Sequence, residues 1–127
     1  MDKKVIISEK APKALGPYSV AIQTGNLVFT SGQLGLDPIT GNLVPDGIGA
    51  ETRQSLTNLR NVLADSGSGL DAVVKTIVFL RDMADFPKMN AVYAEFFPEN
   101  PPARSTVQVA ALPKNGAVEI EVVALVK

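Results

Sequence analysis

Ala117-Val118-Glu119-Ile120-Glu121-Val122-Val123-Ala124-Leu125-Val126 is the stretch on which the fold turns. Its β-branched content and short period predict a strand over 117–126. Val118, Ile120, Val122, Ala124 and Val126 fall on one face, and Val123 and Leu125 share the other with Glu119 and Glu121. Both faces carry apolar residues, so the sheet around this strand needs cover on two sides. Working back from it, Pro113-Lys114-Asn115-Gly116 reads as a turn and Arg104 to Ala110 as the preceding strand, entered through the stiff Pro101-Pro102. Phe86, Met89, Tyr93 and Phe97 line one face of a helix with Asp85 as its N-cap, Pro87 in its first turn and Pro98 at its end. The run Val73-Val74-Lys75-Thr76-Ile77-Val78 places a strand within Asp71 to Arg81. Thr52, Leu56, Leu59 and Leu63 place an amphipathic helix over Ala50 to Asp65, after a flexible Pro45 to Gly49. Tyr18 to Gln23 and Leu27 to Ser31 form a hairpin across Thr24-Gly25-Asn26, and Val5 to Ser8 is a first strand. This order predicts an α+β two-layer sandwich: a mixed, mostly antiparallel six-stranded sheet with two helices on one face. The uncovered face then packs on a neighbouring subunit in a closed oligomer.

At 127 residues the chain reads as a single domain, residues 1–127. Twelve lysines and arginines face 13 acidic residues without a block of either sign, which counts against a nucleic-acid surface. No cysteine or histidine is present, so thiolate or imidazole metal sites, a cysteine nucleophile and a histidine base are excluded. No metal or cofactor is expected, and chemistry falls to carboxylates, arginine, lysine, hydroxyls, backbone and water. No apolar run is long enough for a membrane span or signal core, so a cytoplasmic protein is expected.

Gly47-Ile48-Gly49 lacks the third glycine and preceding strand of a dinucleotide loop, and Ser66-Gly67-Ser68-Gly69 follows a helix where a phosphate cradle precedes one. Arg104 is a better candidate, because its guanidinium, at the start of a strand, suits a carboxylate through two parallel hydrogen bonds; the plain alternative is a surface ion pair. Glu119 and Glu121 lie in an apolar strand, where a carboxylate of raised pKa can relay protons or a salt bridge can tie subunits. Parity does not choose between them. Tyr18 and Ser31 offer hydroxyls beside the hairpin, although sheet packing or turn capping is the simpler reading of either alone, and Asn90, near Tyr93, reads equally as a polar surface position.

Several fragments in order resemble the RidA family, the reactive intermediate deaminases also called the YjgF family. They are Ala14-Leu15-Gly16-Pro17-Tyr18-Ser19, Phe29-Thr30-Ser31-Gly32-Gln33-Leu34-Gly35, Asp37-Pro38-Ile39-Thr40-Gly41, Asn90-Ala91-Val92-Tyr93, Pro102-Ala103-Arg104-Ser105-Thr106 and Glu119-Ile120-Glu121, and the likeness runs from about Ile6 to Val126. The resemblance implies a fold similar to small trimeric chorismate mutases and a homotrimer with active sites between subunits. It implies cofactor-free hydrolysis of enamines and imines, such as 2-aminoacrylate and 2-iminopropanoate, to 2-oxo acids and ammonia. It assigns Arg104 to the substrate carboxylate and Glu119, rather than Glu121, to the water, with Tyr18, Ser31, Gly32 and Asn90 lining the cleft. Thr106 stands where many relatives have a cysteine that acts mainly through its backbone, and Ala111 stands where an arginine is common. The competing expectation is a non-catalytic trimer that senses small 2-oxo acids through the same arginine. An RNA-cleaving role has also been attached to the family, and balanced charge without histidine counts against it here.

Overall fold

The computed structural model describes residues 2–127. Among these, seven strands and two α-helices follow as β1 (Lys4–Ile6), β2 (Ala21–Thr24), β3 (Leu27–Thr30), β4 (Gln33–Leu34), α1 (Gly47–Asp65), β5 (Val73–Leu80), α2 (Phe86–Phe96), β6 (Ala103–Gln108) and β7 (Val118–Leu125). The sheet runs β1-β2-β3-β7-β5-β6, and β4 takes over from β3 along the same side of β7. Among the described residues only β5 and β6 pair in parallel, because α2 carries the chain back across the sheet between them. The two-layer α+β architecture with a mixed, mostly antiparallel sheet is the one expected.

Alternation along β7 sorts its side chains. Val118, Ile120, Val122 and Ala124 are buried with Val28 of β3 and Val78 and Leu80 of β5 against Leu56, Leu59, Val62 and Leu63 of α1 and Met89 and Tyr93 of α2. Glu119, Glu121 and Val123 on the opposite side are only half-buried, and Leu125 and Phe29 are exposed. Arg53 and Glu95 bridge the outer surfaces of the two helices through paired bonds of 3.1 and 3.0 Å. No helix among the described residues is long and apolar enough to cross a membrane.

Several boundaries differ from the expected ones, each for a local reason. The sheet has seven strands rather than six, since Gln33-Leu34 joins it as β4 although it is a two-residue segment flanked by glycines with no alternation to reveal it. Tyr18 to Val20 does not begin β2: the Tyr18 amide donates to the Gly16 carbonyl in a tight turn, and pairing starts at Ala21. Gly47-Ile48-Gly49 is not a flexible lead-in but the first turn of α1, because Ile48 buries against the core. Asp85 stands at the N-cap position of α2, as expected, but its side chain makes no capping bond. Asp82 caps the short 3-10 turn Met83–Asp85 just before the helix, accepting from the Ala84 amide at 2.9 Å.

Leu56 lies between α1 and the sheet with no exposed surface. Leu56→Ala should lower unfolding stability by about 2–5 kcal/mol. Urea denaturation followed by circular dichroism measures this, and a loss under about 1 kcal/mol would contradict the packing described.

Candidate active site

A cavity of about 480 Å³ opens where β7 meets the β3–β4 segment, and Tyr18, Ser31, Gly32 and Glu119 all line it. Glu119 reaches it because its strand neighbours Val118 and Ile120 point into the core. Gly32 is required by close approach: a Cβ there would stand 2.7 Å from both Cγ and Cδ of Glu119, so any side chain would displace the carboxylate. Glu119 forms no ion pair among the described residues. Burial, and secondarily the negative charge of Glu121 on the same strand, push its carboxyl above the usual glutamate range. The Glu119 carboxyl is thus a group able to hold a proton and return it.

The hydroxyls beside it are already oriented. Ser31 Oγ donates to the Ser19 carbonyl at 2.6 Å, which commits its proton and leaves oxygen lone pairs towards the cavity. Tyr18 Oη accepts from the Leu15 amide at 3.0 Å, so the phenol proton is left to donate outward.

Arg104 lies elsewhere. It pairs in register with Thr76, whose side chain is buried beneath the helices, so Arg104 is on the helix side of the edge strand β6, with β5 between it and β7. Its guanidinium stacks over Tyr93 at 4.7 Å and Phe86 at 5.4 Å, and Nη1 donates to Asn90 Oδ1 at 2.8 Å. No carboxylate within the described residues forms an ion pair with it. Tyr93 is itself fixed by a 2.8 Å bond with the Thr76 hydroxyl, and burial pushes its phenol up in pKa against the opposing effects of that bond and the Arg104 charge. The Val109 amide donates inward to Leu80, so by alternation the amides of Arg104 and Thr106 face the open edge of β6. The Thr106 hydroxyl is buried without a partner, which leaves the backbone of that residue as its accessible donor.

The chain therefore gathers its candidate residues into two groups. Tyr18, Ser31, Gly32 and Glu119 meet in the cavity, while Arg104, Asn90 and Thr106 meet at the β6 edge, on the other side of the sheet. What sequence reasoning missed is the aromatic bed of Arg104. Its signal is present in the spacing of Phe86, Asn90 and Tyr93, one stripe of α2, but two of the three were read only as core. Among the described residues no cluster of three or more acidic, histidine or cysteine side chains is placed to hold a metal ion.

Comparison with known proteins places this arrangement in a family. A sequence model of the family described as Endoribonuclease L-PSP matches residues 8–126. Reactive Intermediate Deaminase A, chloroplastic, of Arabidopsis thaliana is 52% identical over 122 residues, covering 96% of this chain and 65% of the plant protein. The 2-iminobutanoate/2-iminopropanoate deaminase of Bos taurus is 47% identical over 123 residues, covering 97% of this chain and 90% of the bovine one. The crystal structure of the yeast YEO7 protein superposes with a TM-score of 0.97 at 41% identity, covering 99% of this chain and 100% of that one. TdcF of Escherichia coli, solved with bound serine, superposes with a TM-score of 0.92 at 39% identity, covering 96% and 98%. With a family match spanning nearly its whole length and relatives of this identity, the chain belongs to the RidA/YjgF family.

Proposed function

We propose that this chain hydrolyses reactive 2-imino acids and their enamine tautomers, such as 2-iminopropanoate and 2-aminoacrylate, to 2-oxo acids and ammonia. The reaction takes place between subunits of a homotrimer in the cytoplasm, without a metal or organic cofactor. The observation that carries this reading is the separation of two incomplete half-sites. A stacked guanidinium without an anion stands on one side of the sheet, and a half-buried carboxylate without a cation stands on the other. A second copy of the chain can bring the first to the second. The names of the plant and bovine relatives support the reaction class.

In this site Arg104, with the free amides of the β6 edge, holds the substrate carboxylate through charge-assisted bonds. An imine carbon is already electrophilic, so the remaining task is to place a water and move protons. Ionised Glu119 takes a proton from water as its oxygen adds to the imine carbon. It returns that proton to the nitrogen, which gives the carbinolamine, then takes the carbinolamine hydroxyl proton and delivers it to the nitrogen as the C–N bond breaks, so both water hydrogens leave on ammonia and the oxygen stays in the 2-oxo acid. Tyr18 donates to the oxygen or nitrogen of the tetrahedral carbon from its free proton. A carboxyl pushed upward towards neutral pH both accepts and returns a proton readily. Ribonuclease chemistry is not extended to this chain, which has a formal net charge of −1 and no histidine.

Two sets of variants test the reading. A pyridoxal-phosphate lyase supplies 2-aminoacrylate and ammonia release is followed, while calorimetry measures binding of the product 2-oxo acid. Arg104→Ala should lose about 2–5 kcal/mol of binding and of transition-state stabilisation, and Arg104→Lys should restore little because a point charge does not reproduce the fork. Glu119→Gln should bind the 2-oxo acid but lose turnover. An assembled Glu119→Gln protein with unaltered turnover would remove Glu119 from the mechanism, and binding without any turnover by the unmodified protein would establish the sensor instead.

The pH dependence has a definite sign. Glu119 must be ionised to accept the water proton, so kcat/KM falls as pH drops through its raised pKa. Glu121→Gln removes one of the two causes of that elevation and should move the acid limb to lower pH. An acid limb that stays in place would show that it belongs to another group.

A further inference from the structure

We propose that a polar stripe buried on α1, formed by Glu51, Ser55 and Asn58, is the positioning device that holds Glu119 and the cavity wall in place for the proposed reaction. The inference rests on that reaction and adds to it residues that touch neither substrate nor water.

The stripe is unusual in being buried. Glu51 is 7% exposed, and Ser55 and Asn58 are fully buried on the same helix that supplies Leu56, Leu59 and Leu63 to the core. Their spacing of four and three residues puts them on one side of α1. Polar groups at such depth are tolerated only when bonded, and each of these is. Glu51 Oε1 accepts from the Ala117 amide at 2.9 Å. Ser55 Oγ donates to the Gln33 carbonyl at 2.6 Å. Asn58 Nδ2 donates to the carbonyls of Leu36 at 2.9 Å and Leu34 at 3.3 Å, and Gln54 Nε2 donates to Asn58 Oδ1 at 2.8 Å to fix the amide.

Every target of the stripe is backbone, and the targets bracket Glu119. Ala117 lies two residues before it in the chain. Leu34 is its register partner across the β4–β7 ladder, and Gln33 pairs with Ile120. The same 32–36 segment carries Gly32, against which the Glu119 carboxylate packs, and Leu34 and Leu36, which line the cavity. Contact between helix and segment leaves no slack: a Cβ on Gly35 would fall 2.6 Å from the Glu51 backbone. Apolar side chains of matching volume would fill the space without bonding the backbone. Directional bonds are what the polar side chains add, and they fix where these carbonyls and this amide stand.

The test uses the full-length assembled protein with Glu51→Leu, Glu51→Gln and Ser55→Ala. Glu51→Leu should lower kcat at least about tenfold with KM changed less than about twofold, because displacement of the proton-transfer group affects the chemical step more than binding. Carbon-13 NMR of the Glu119 carboxyl should show its titration falling towards the ordinary glutamate range as looser packing admits water. Glu51→Gln keeps an acceptor for the Ala117 amide and should stay close to the unmodified protein in both readouts. Ser55→Ala should shift both in the same direction as Glu51→Leu by a smaller amount, and it decides the matter if Glu51→Leu does not fold. The charged groups facing Glu119 are Glu121 on its own strand, Lys13 in the cavity lining and, in the proposed assembly, Arg104 of a neighbouring subunit, and none of these variants alters them. A folded Glu51→Leu or Ser55→Ala protein with unchanged kcat and an unchanged Glu119 titration overturns the proposal, as does a Glu51→Gln protein as impaired as Glu51→Leu. If the unmodified protein does not hydrolyse imines, the reaction itself is wrong, and the NMR titration alone then decides whether the stripe positions Glu119.

Discussion

Strand β7 buries Val118, Ile120, Val122 and Ala124 beneath two helices, while on its other side Glu119, Glu121 and Val123 stay half-buried and Leu125 exposed. At roughly 25 cal/mol per Å² of apolar surface, covering Phe29, Leu125 and their neighbours is a substantial drive for association. The same constraint shapes the chemistry. Glu119 is half-desolvated because it shares that side with apolar neighbours and packs on Gly32, and desolvation is the first cause of its raised pKa. One strand thus supplies the core, the surface proposed to meet another subunit and the proposed proton carrier.

Arg104 obeys the complementary constraint. A guanidinium facing the helix layer without a carboxylate would be costly if it were not stacked and bonded, and Tyr93, Phe86 and Asn90 supply both. These partners orient it without neutralising it. Its positive charge is left without an ion-pair partner among the described residues, as the proposed binding of a substrate anion requires. The division between a cation-bearing edge and an acid-bearing cavity avoids mutual quenching of Arg104 and Glu119 within one subunit.

The sequence revealed what depends on periodicity over many residues. Thr52, Leu56, Leu59 and Leu63 identify α1, and all four are fully buried. Phe86, Met89 and Tyr93 identify the inner face of α2, Phe97 packs on the core just past its end, and the two-faced pattern of β7 identifies the layer architecture. Features set by one or two residues were not legible. Gln33-Leu34 pairs with β7 while the buried Ser55 and Asn58 bond its carbonyls from α1, tertiary contacts with no local signal. Asp85 holds the N-cap position of α2 without a side-chain bond, and the capping bond belongs to Asp82 on the 3-10 turn before it. In the candidate site, parity placed Glu119 and Glu121 on one face and went no further; the structure separates them, since Glu119 lines the cavity beside Gly32. That Arg104 faces the opposite side was also hidden. It follows from the register of β6 on β5, which no single strand encodes.

The central claim is that Arg104 of one subunit and Glu119 of another complete each site, and mixing two inactive variants tests it most directly. Arg104→Ala and Glu119→Gln subunits, co-refolded in equal amounts, give cyclic trimers in which every mixed assembly contains one interface with both residues intact. The account predicts recovery of about a quarter of the unmodified activity from the mixture, while each variant alone stays inactive. No recovery, with mixed trimers demonstrated by mass spectrometry, would show that the two residues act within one chain or not together at all.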